Sequence, residues 1–191
     1  SHSFLAYLGY LAGFAHISDC MQDADYRAAA HKLMLNEQAP TLSISGVDLN
    51  AYAESLLDRF ANPALKHRTW QIAMDGSQKL PQRMLESIRI HLQRGSDWSL
   101  LALGVAGWMR YVSGTDDAGS AIDVRDPLAE KIRGIVETSS ENERVVALLS
   151  LSEIFGTDLP ANTVFVDAIE SAWQRLVQNG AHVAVREAVN S

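Results

Sequence analysis

The stretch Asp97-Trp98-Ser99-Leu100-Leu101-Ala102-Leu103-Gly104-Val105-Ala106-Gly107-Trp108-Met109-Arg110-Tyr111-Val112-Ser113-Gly114 decides the fold class. Asp97 is a helix-capping residue, Trp98 to Val112 is strongly apolar, and Gly114-Thr115-Asp116-Asp117 closes the segment as a loop. Gly104 and Gly107 inside the apolar pattern imply close helix packing. Helical periodicity of this kind recurs along the whole chain, and no segment alternates with period two in Val, Ile and Thr. An all-α domain of about eight helices is predicted.

Upstream of this stretch, a first helix is expected from Phe4 to Ser18, with Leu5, Leu8, Leu11 and Ala12 on one face and Tyr7, Gly9, Tyr10 and Gly13 on the other. Being apolar nearly all round, it is expected to be buried on two sides. A second helix is predicted over Asp23–Gln38, stopping before Pro40, followed by a loop over Thr41–Val47. Asp48 caps a helix through Phe60 that presents Leu49, Tyr52, Leu56, Leu57 and Phe60 inward. A short helix over Pro63–Met74 is expected to stop at Asp75-Gly76, and a new one to run from Pro81 to Gln93. Downstream, Asp126-Pro127 opens a helix to Thr138, Ser140 with Glu143 has capping-box spacing for a helix to Phe155, and Gly156 ends it. A long helix covers Thr163–Asn179, and the tail from Ala181 is expected to add only a frayed turn or two.

The 191 residues suffice for one compact domain, and 47% hydrophobic with 20% charged residues is the balance of an ordinary soluble globular protein. A formal net charge of −7 makes nucleic acid and membrane surfaces poor partners, yet a few local Lys and Arg can reverse the field inside one cleft for an anionic small substrate. The one cysteine, Cys20, forbids an internal disulfide and fits a reducing cytoplasm. The apolar run Phe4–Phe14 is too short to span a bilayer and has neither the basic flank nor the cleavage site of a signal peptide. A chain opening on such a run reads as truncated, with the run expected to be covered by something upstream and, when exposed, to drive self-association.

Among chemical motifs, the six His (His2, His16, His31, His67, His91, His182) show no metal-ligand spacing, so no metal site is expected. No Gly-x-Gly-x-x-Gly, phosphate loop or nucleophile elbow is present. What stands out is the central run His67-Arg68-Thr69-Trp70-Gln71-Ile72-Ala73-Met74-Asp75-Gly76-Ser77-Gln78-Lys79-Leu80-Pro81-Gln82-Arg83, which gathers basic, amide, carboxylate and hydroxyl groups around a helix-break-helix turn. Lys79 offers three donors to a hydroxyl or carboxylate, and Asp75 is placed to accept from free amides at the next helix start. An ordinary capped turn with solvated Lys and Arg explains the same composition.

At this run and at Ser1-His2-Ser3 with Ala6-Tyr7-Leu8-Gly9, Asn62-Pro63-Ala64-Leu65, Trp108-Met109-Arg110-Tyr111, Asp126-Pro127-Leu128 and Phe155-Gly156, the chain resembles the C-terminal domain of the polyol-specific long-chain dehydrogenases, which include mannitol 2-dehydrogenase and fructuronate reductase. The resemblance covers essentially the whole chain. It implies that residues 1–191 are a substrate-binding helical domain and that a Rossmann-type domain lies upstream. The family's Lys-x-x-x-x-Asn-x-x-His motif, in which the lysine is the general base, ends here on His2. The family's substrate-binding lysine in Asp-Gly-x-x-Lys maps onto Lys79. Where mannitol-type members carry an arginine eight residues before that lysine, this chain has Gln71, and Arg68 lies one turn away as a substitute. The implied activity is metal-free, NAD- or NADP-dependent interconversion of a sugar acid or polyol with its keto form. D-mannonate/fructuronate is favoured over mannitol/fructose because the run around Gln71 and Met74 departs from the mannitol type. The isolated chain, without the lysine and asparagine, is expected to be inactive. The alternative is a non-enzymatic helical domain that docks a partner on the apolar segment Phe4–Ile17.

Overall fold

The protein is described here by a computed structural model covering residues 1–42 and 48–191, so most of the predicted loop Thr41–Val47 lies outside the described residues. Helix α1 (His2–Ala12) is shorter than predicted, because Gly13 adopts φ 97° and caps it in left-handed geometry. The chain then runs extended through His16, which bridges to Arg68, before α2 (Ile17–Gln22). Asp23 caps α3 (Ala24–Lys32) by accepting from the amides of Asp25 and Tyr26. This helix continues through a π-turn at Leu33–Gln38 and a 3-10 turn at Ala39–Thr41, rather than ending cleanly before Pro40. Asp48 caps α4 (Leu49–Ala61) as predicted, through the Ala51 amide. Its inward face is narrower than expected: Leu57 is buried, Leu49, Leu56 and Phe60 are half-buried, and Tyr52 is 55% exposed.

The centre of the chain is more broken than its pattern implies. A 3-10 turn at Pro63–Leu65 and a left-handed Lys66 (φ 50°) precede α5 (Thr69–Ala73). Helix α6 (Gly76–Leu80) starts one turn before the predicted Pro81. Pro81 has no N–H to donate back into the helix, and a π-turn over Pro81–Leu85 absorbs the missing bond before α7 (Glu86–Arg94). Helix α8 (Ser99–Val112) follows, with the Ser99 amide donating to the Asp97 carboxylate.

Asp126 accepts from the Leu128 amide ahead of α9 (Ala129–Thr138). The Ser140–Glu143 capping box is formed, but the single helix expected to follow it divides at Leu151 into α10 (Arg144–Leu149) and α11 (Ser152–Phe155). After α12 (Asp158–Ala161), Asn162 caps α13 (Thr163–Asn179). The tail is a full helix, α14 (Ala181–Asn190), because Ala181, Ala184, Val185 and Ala188 form a buried stripe at helical spacing. The described residues thus hold 14 α-helical segments where about eight were expected, and no β-strand, only isolated bridges.

Helix α1 is the axis of the core. Phe4, Leu5, Ala6, Tyr7 and Leu8 are all 0% exposed, covered by α2, α5, α8 and α14. Burying each large apolar side chain of this helix contributes roughly 1.5–3 kcal/mol. Close approach depends on glycines: a Cβ on Gly107 would lie 2.9 Å from Leu8 Cδ2, and one on Gly104 would lie 3.2 Å from Phe4 Cδ2. The chain itself therefore covers the apolar run that was expected to need an outside cover. The premise behind self-association, and behind a partner docked on Phe4–Ile17, does not hold.

Candidate active site

His2 stands in the first turn of α1, and the burial of the residues after it anchors the ring at the edge of the core. Its imidazole stacks on Phe60 of α4, with centroids 4.8 Å apart and planes 7° from parallel, and tilts against His67 at 5.7 Å. His2 Nε2 is buried and has no hydrogen-bond partner. Burial above all, then the positive groups of Ser1, His67, Arg83 and Lys79, pulls its pKa down to about 4. The ring is neutral near pH 7, aligned by stacking, with one nitrogen left to serve a bound group. Ser3 Oγ and Tyr7 OH, one turn apart on the same helix, are also buried without partners.

Lys79 is held opposite by α6. Its Nζ donates to the Ile72 carbonyl at 2.7 Å, which leaves two of its three donors for other groups. Burial first, and then Arg83, pull its pKa down, while Asp75 opposes this. The start of α6 is fixed from a distance: Asp126 accepts from the Ser77 amide at 2.9 Å and the Ser77 hydroxyl at 2.5 Å. Asp75 was expected to cap that turn and does not. It sits in left-handed geometry at φ 58° with its side chain making no capping bond; its amide donates to the Arg125 carbonyl and its carbonyl accepts from the Gln78 and Lys79 amides.

The structure therefore brings His2 and Lys79 into one neighbourhood, with Asp75 acting on Lys79 through charge. Gln71 is exposed on α5. Arg68 is exposed and lays its guanidinium over Trp70 at 5.4 Å. Arg83, His67, Tyr7 and Asp126 join the site without having been singled out. The spacing of Lys79 and Arg83, four residues apart on one helical run, was the available signal for Arg83. Nothing local signalled Asp126, which acts across 49 positions.

The chain matches the family described as "Mannitol dehydrogenase C-terminal domain" over residues 1–177. It belongs to that family. It is 74% identical over 185 residues to the Escherichia coli (strain K12) oxidoreductase YeiQ, and 58% identical over 186 residues to the D-mannonate oxidoreductase of the same organism. Each match covers 97% of this chain and 38% of the relative. A solved mannitol 2-dehydrogenase of Pseudomonas fluorescens, in ternary complex with NAD and D-mannitol, superposes with a TM-score of 0.93 at 32% identity, covering 100% of this chain and 38% of that one. The all-α fold and the resemblance read from the motifs are those of this family.

Two further features bear on function classes. Among the described residues no helix is long and apolar enough to cross a membrane. Asp23, Asp25 and His182, distant in sequence, place potential ligand atoms within 4.8 Å of one another. Asp23 is already committed there, capping α3 and pairing with His182 at 2.9 Å.

Proposed function

We propose that this chain is the substrate-binding helical domain of an NAD- or NADP-dependent oxidoreductase that interconverts a sugar acid or polyol and its keto form, with D-mannonate/fructuronate favoured over mannitol/fructose. The observation that carries the reading is His2: a neutral, stacked imidazole whose buried Nε2 lacks a partner, set near a desolvated lysine. A bound alcohol or carbonyl oxygen would satisfy that nitrogen, and a polar atom left unpaired in a buried site costs about 1–3 kcal/mol until it is. The 58% identity to a D-mannonate oxidoreductase supports the choice of substrate.

In this reading His2 orients the reacting oxygen and donates to it as negative charge develops. Lys79, pinned by Ile72 O, aims its remaining donors at the substrate's remote hydroxyls or carboxylate and fixes its position along the cleft. Asp75 biases Lys79 toward its charged form. The nicotinamide supplies a hydride acceptor when bound. In this reading the dinucleotide site and the general-base lysine that the family resemblance implies are supplied by a Rossmann-type domain of the full-length protein, of whose relatives this chain spans 38%. The test is NAD- and NADP-linked turnover by the full-length protein on D-mannonate, D-mannitol and D-arabinitol. Turnover of D-mannonate with a loss of at least about 100-fold in kcat for His2→Ala is expected; no turnover of any of the three defeats the assignment.

A further inference from the structure

The motif Asn62-Pro63-Ala64-Leu65 has no part in the chemistry above, yet it lies between the two aromatic residues that pack against His2. Phe60 sits in the last turn of α4, and Leu57, one turn earlier on the same face, is buried and anchors it. Asn62 ends the helix, and its side chain accepts from the Ala64 amide at 3.0 Å, which opens the 3-10 turn Pro63–Leu65. Left-handed Lys66 (φ 50°) follows, and the His67 carbonyl accepts from the Ile17 amide at 2.8 Å. The segment Phe60–His67 thus leaves the His2 ring at Phe60 and comes back to it at His67.

A histidine that acts on a substrate is ordinarily aimed by a hydrogen bond from its second ring nitrogen to a carboxylate or carbonyl. Among the described residues no such bond fixes the His2 ring, and its Nε2 is buried without a partner. The torsion that spins an imidazole about its bond to Cβ is broad and roughly two-fold, so the ring plane needs another restraint. The Phe60 ring supplies it, parallel to the imidazole within 7° at a centroid separation of 4.8 Å, while His67 tilts against the same ring at 60°. A ring N–H donates in the plane of its ring, so this plane sets the direction in which Nε2 meets a bound oxygen.

We propose that Phe60 is a positioning residue, acting through His2 by holding the imidazole plane at the angle that aims Nε2 at the reacting oxygen. This rests on the oxidoreductase reading above and deepens it. The bond from Nε2 strengthens as charge develops on that oxygen, so misalignment costs more in the transition state than in the bound ground state. Its effect therefore falls on kcat and spares KM. The worth of one aromatic pair corresponds to about 2- to 10-fold in rate.

The test uses the full-length protein on whichever of D-mannonate, D-mannitol and D-arabinitol it turns over fastest. Wild type is compared with Phe60→Leu, Phe60→Tyr, His2→Ala and the double variant carrying Phe60→Leu and His2→Ala. Phe60→Leu keeps apolar bulk without a ring plane, and is expected to lower kcat about 3- to 10-fold with KM within about 2-fold of wild type. Phe60→Tyr restores the stack and is expected to stay within about 2-fold in both. In the His2→Ala background Phe60→Leu is expected to cost nothing further, because the residue acts through the imidazole. Losses that multiply in the double variant overturn the proposal, as does a Phe60→Tyr no better than Phe60→Leu. A resonance of His2 separates this from the parent reading. With histidine Cε1 labelled in the same proteins, the His2 signal, assigned by its loss in His2→Ala, is expected to be displaced by the aromatic ring in wild type and Phe60→Tyr. In Phe60→Leu it is expected to return toward its ordinary position. That behaviour in protein that turns over none of the three compounds keeps Phe60 as the residue that sets His2 and defeats the reaction. A signal indifferent to Phe60→Leu defeats the positioning role.

Discussion

Glu37 sets two physical effects against each other at the head of the central helix α8. It is 1% exposed, and its carboxylate accepts from the amides of Leu100 at 2.9 Å and Leu101 at 2.8 Å, while its own carbonyl oxygen is bonded by His91. The two N–H bonds and the positive end of the helix favour the charged form; burial opposes it. Burial wins, with Asp97 adding to it, and the pKa is pushed up from 4.5 to about 7. The folded state then holds a proton that the unfolded state releases between these values. More protons are bound in the native state in this window, so stability falls as pH rises from about 4.5 to 7 and levels off above. At about 1.36 kcal/mol per pH unit the full swing is about 3 kcal/mol. Glu37→Gln removes the swing; its amide oxygen accepts from one of the two helix amides while its NH2, which cannot accept, faces the other, so the variant carries a cost that does not change with pH. Urea unfolding of wild type and Glu37→Gln at several pH values between 4.5 and 8 measures it: the variant is expected to be the less stable near pH 4.5 and to gain on wild type as pH rises. A difference that stays flat with pH, or that moves in favour of wild type, would show that the helix amides outweigh burial and refute the reasoning. Glu37→Ala, which leaves both amides without an acceptor, is expected to cost about 2–5 kcal/mol at any pH.

Gly9→Ala is expected to destabilise by about 1–3 kcal/mol, because the new methyl group runs into Cys20 Sγ, and Cys20→Ala in the same chain should restore part of the loss by thermal unfolding. Asp126→Ala removes the acceptor for the Ser77 amide and hydroxyl; a loss of about 2–4 kcal/mol is expected, and in full-length protein a raised KM, since the start of the helix carrying Lys79 is released. His2, whose pKa is depressed to about 4, remains neutral through the working range, so pH–rate profiles of wild type and His2→Asn should have limbs at the same pH, differing in height alone.

Much of the secondary structure was legible because it is a local matter. Asp48, Asp97, the Ser140–Glu143 box and Gly156 end or start helices through bonds to residues a few positions away. Errors fell where two interactions compete. Pro81 reads as a helix start, yet the segment before it is pulled into helix by Asp126; Gly13 stops α1 early because the next residues pair with the stretch before α5. For the site, His2 and Lys79 were reached through family resemblance, while Arg83 and Asp126 required the folded neighbourhood.

Helical class, caps and the uninterrupted apolar character of α1 were determined by the sequence alone, since periodicity and capping act within a few residues of the chain. Which surface covers α1 was a tertiary decision. Gly104 and Gly107 let α8 approach it, α14 closes another side, and a run expected to be covered from outside becomes the axis of the core. The same packing leaves His2 Nε2 without a partner and sets Lys79 and Arg83 near it, because burial and long-range charge depend on what lies across space and not on what lies next in the chain.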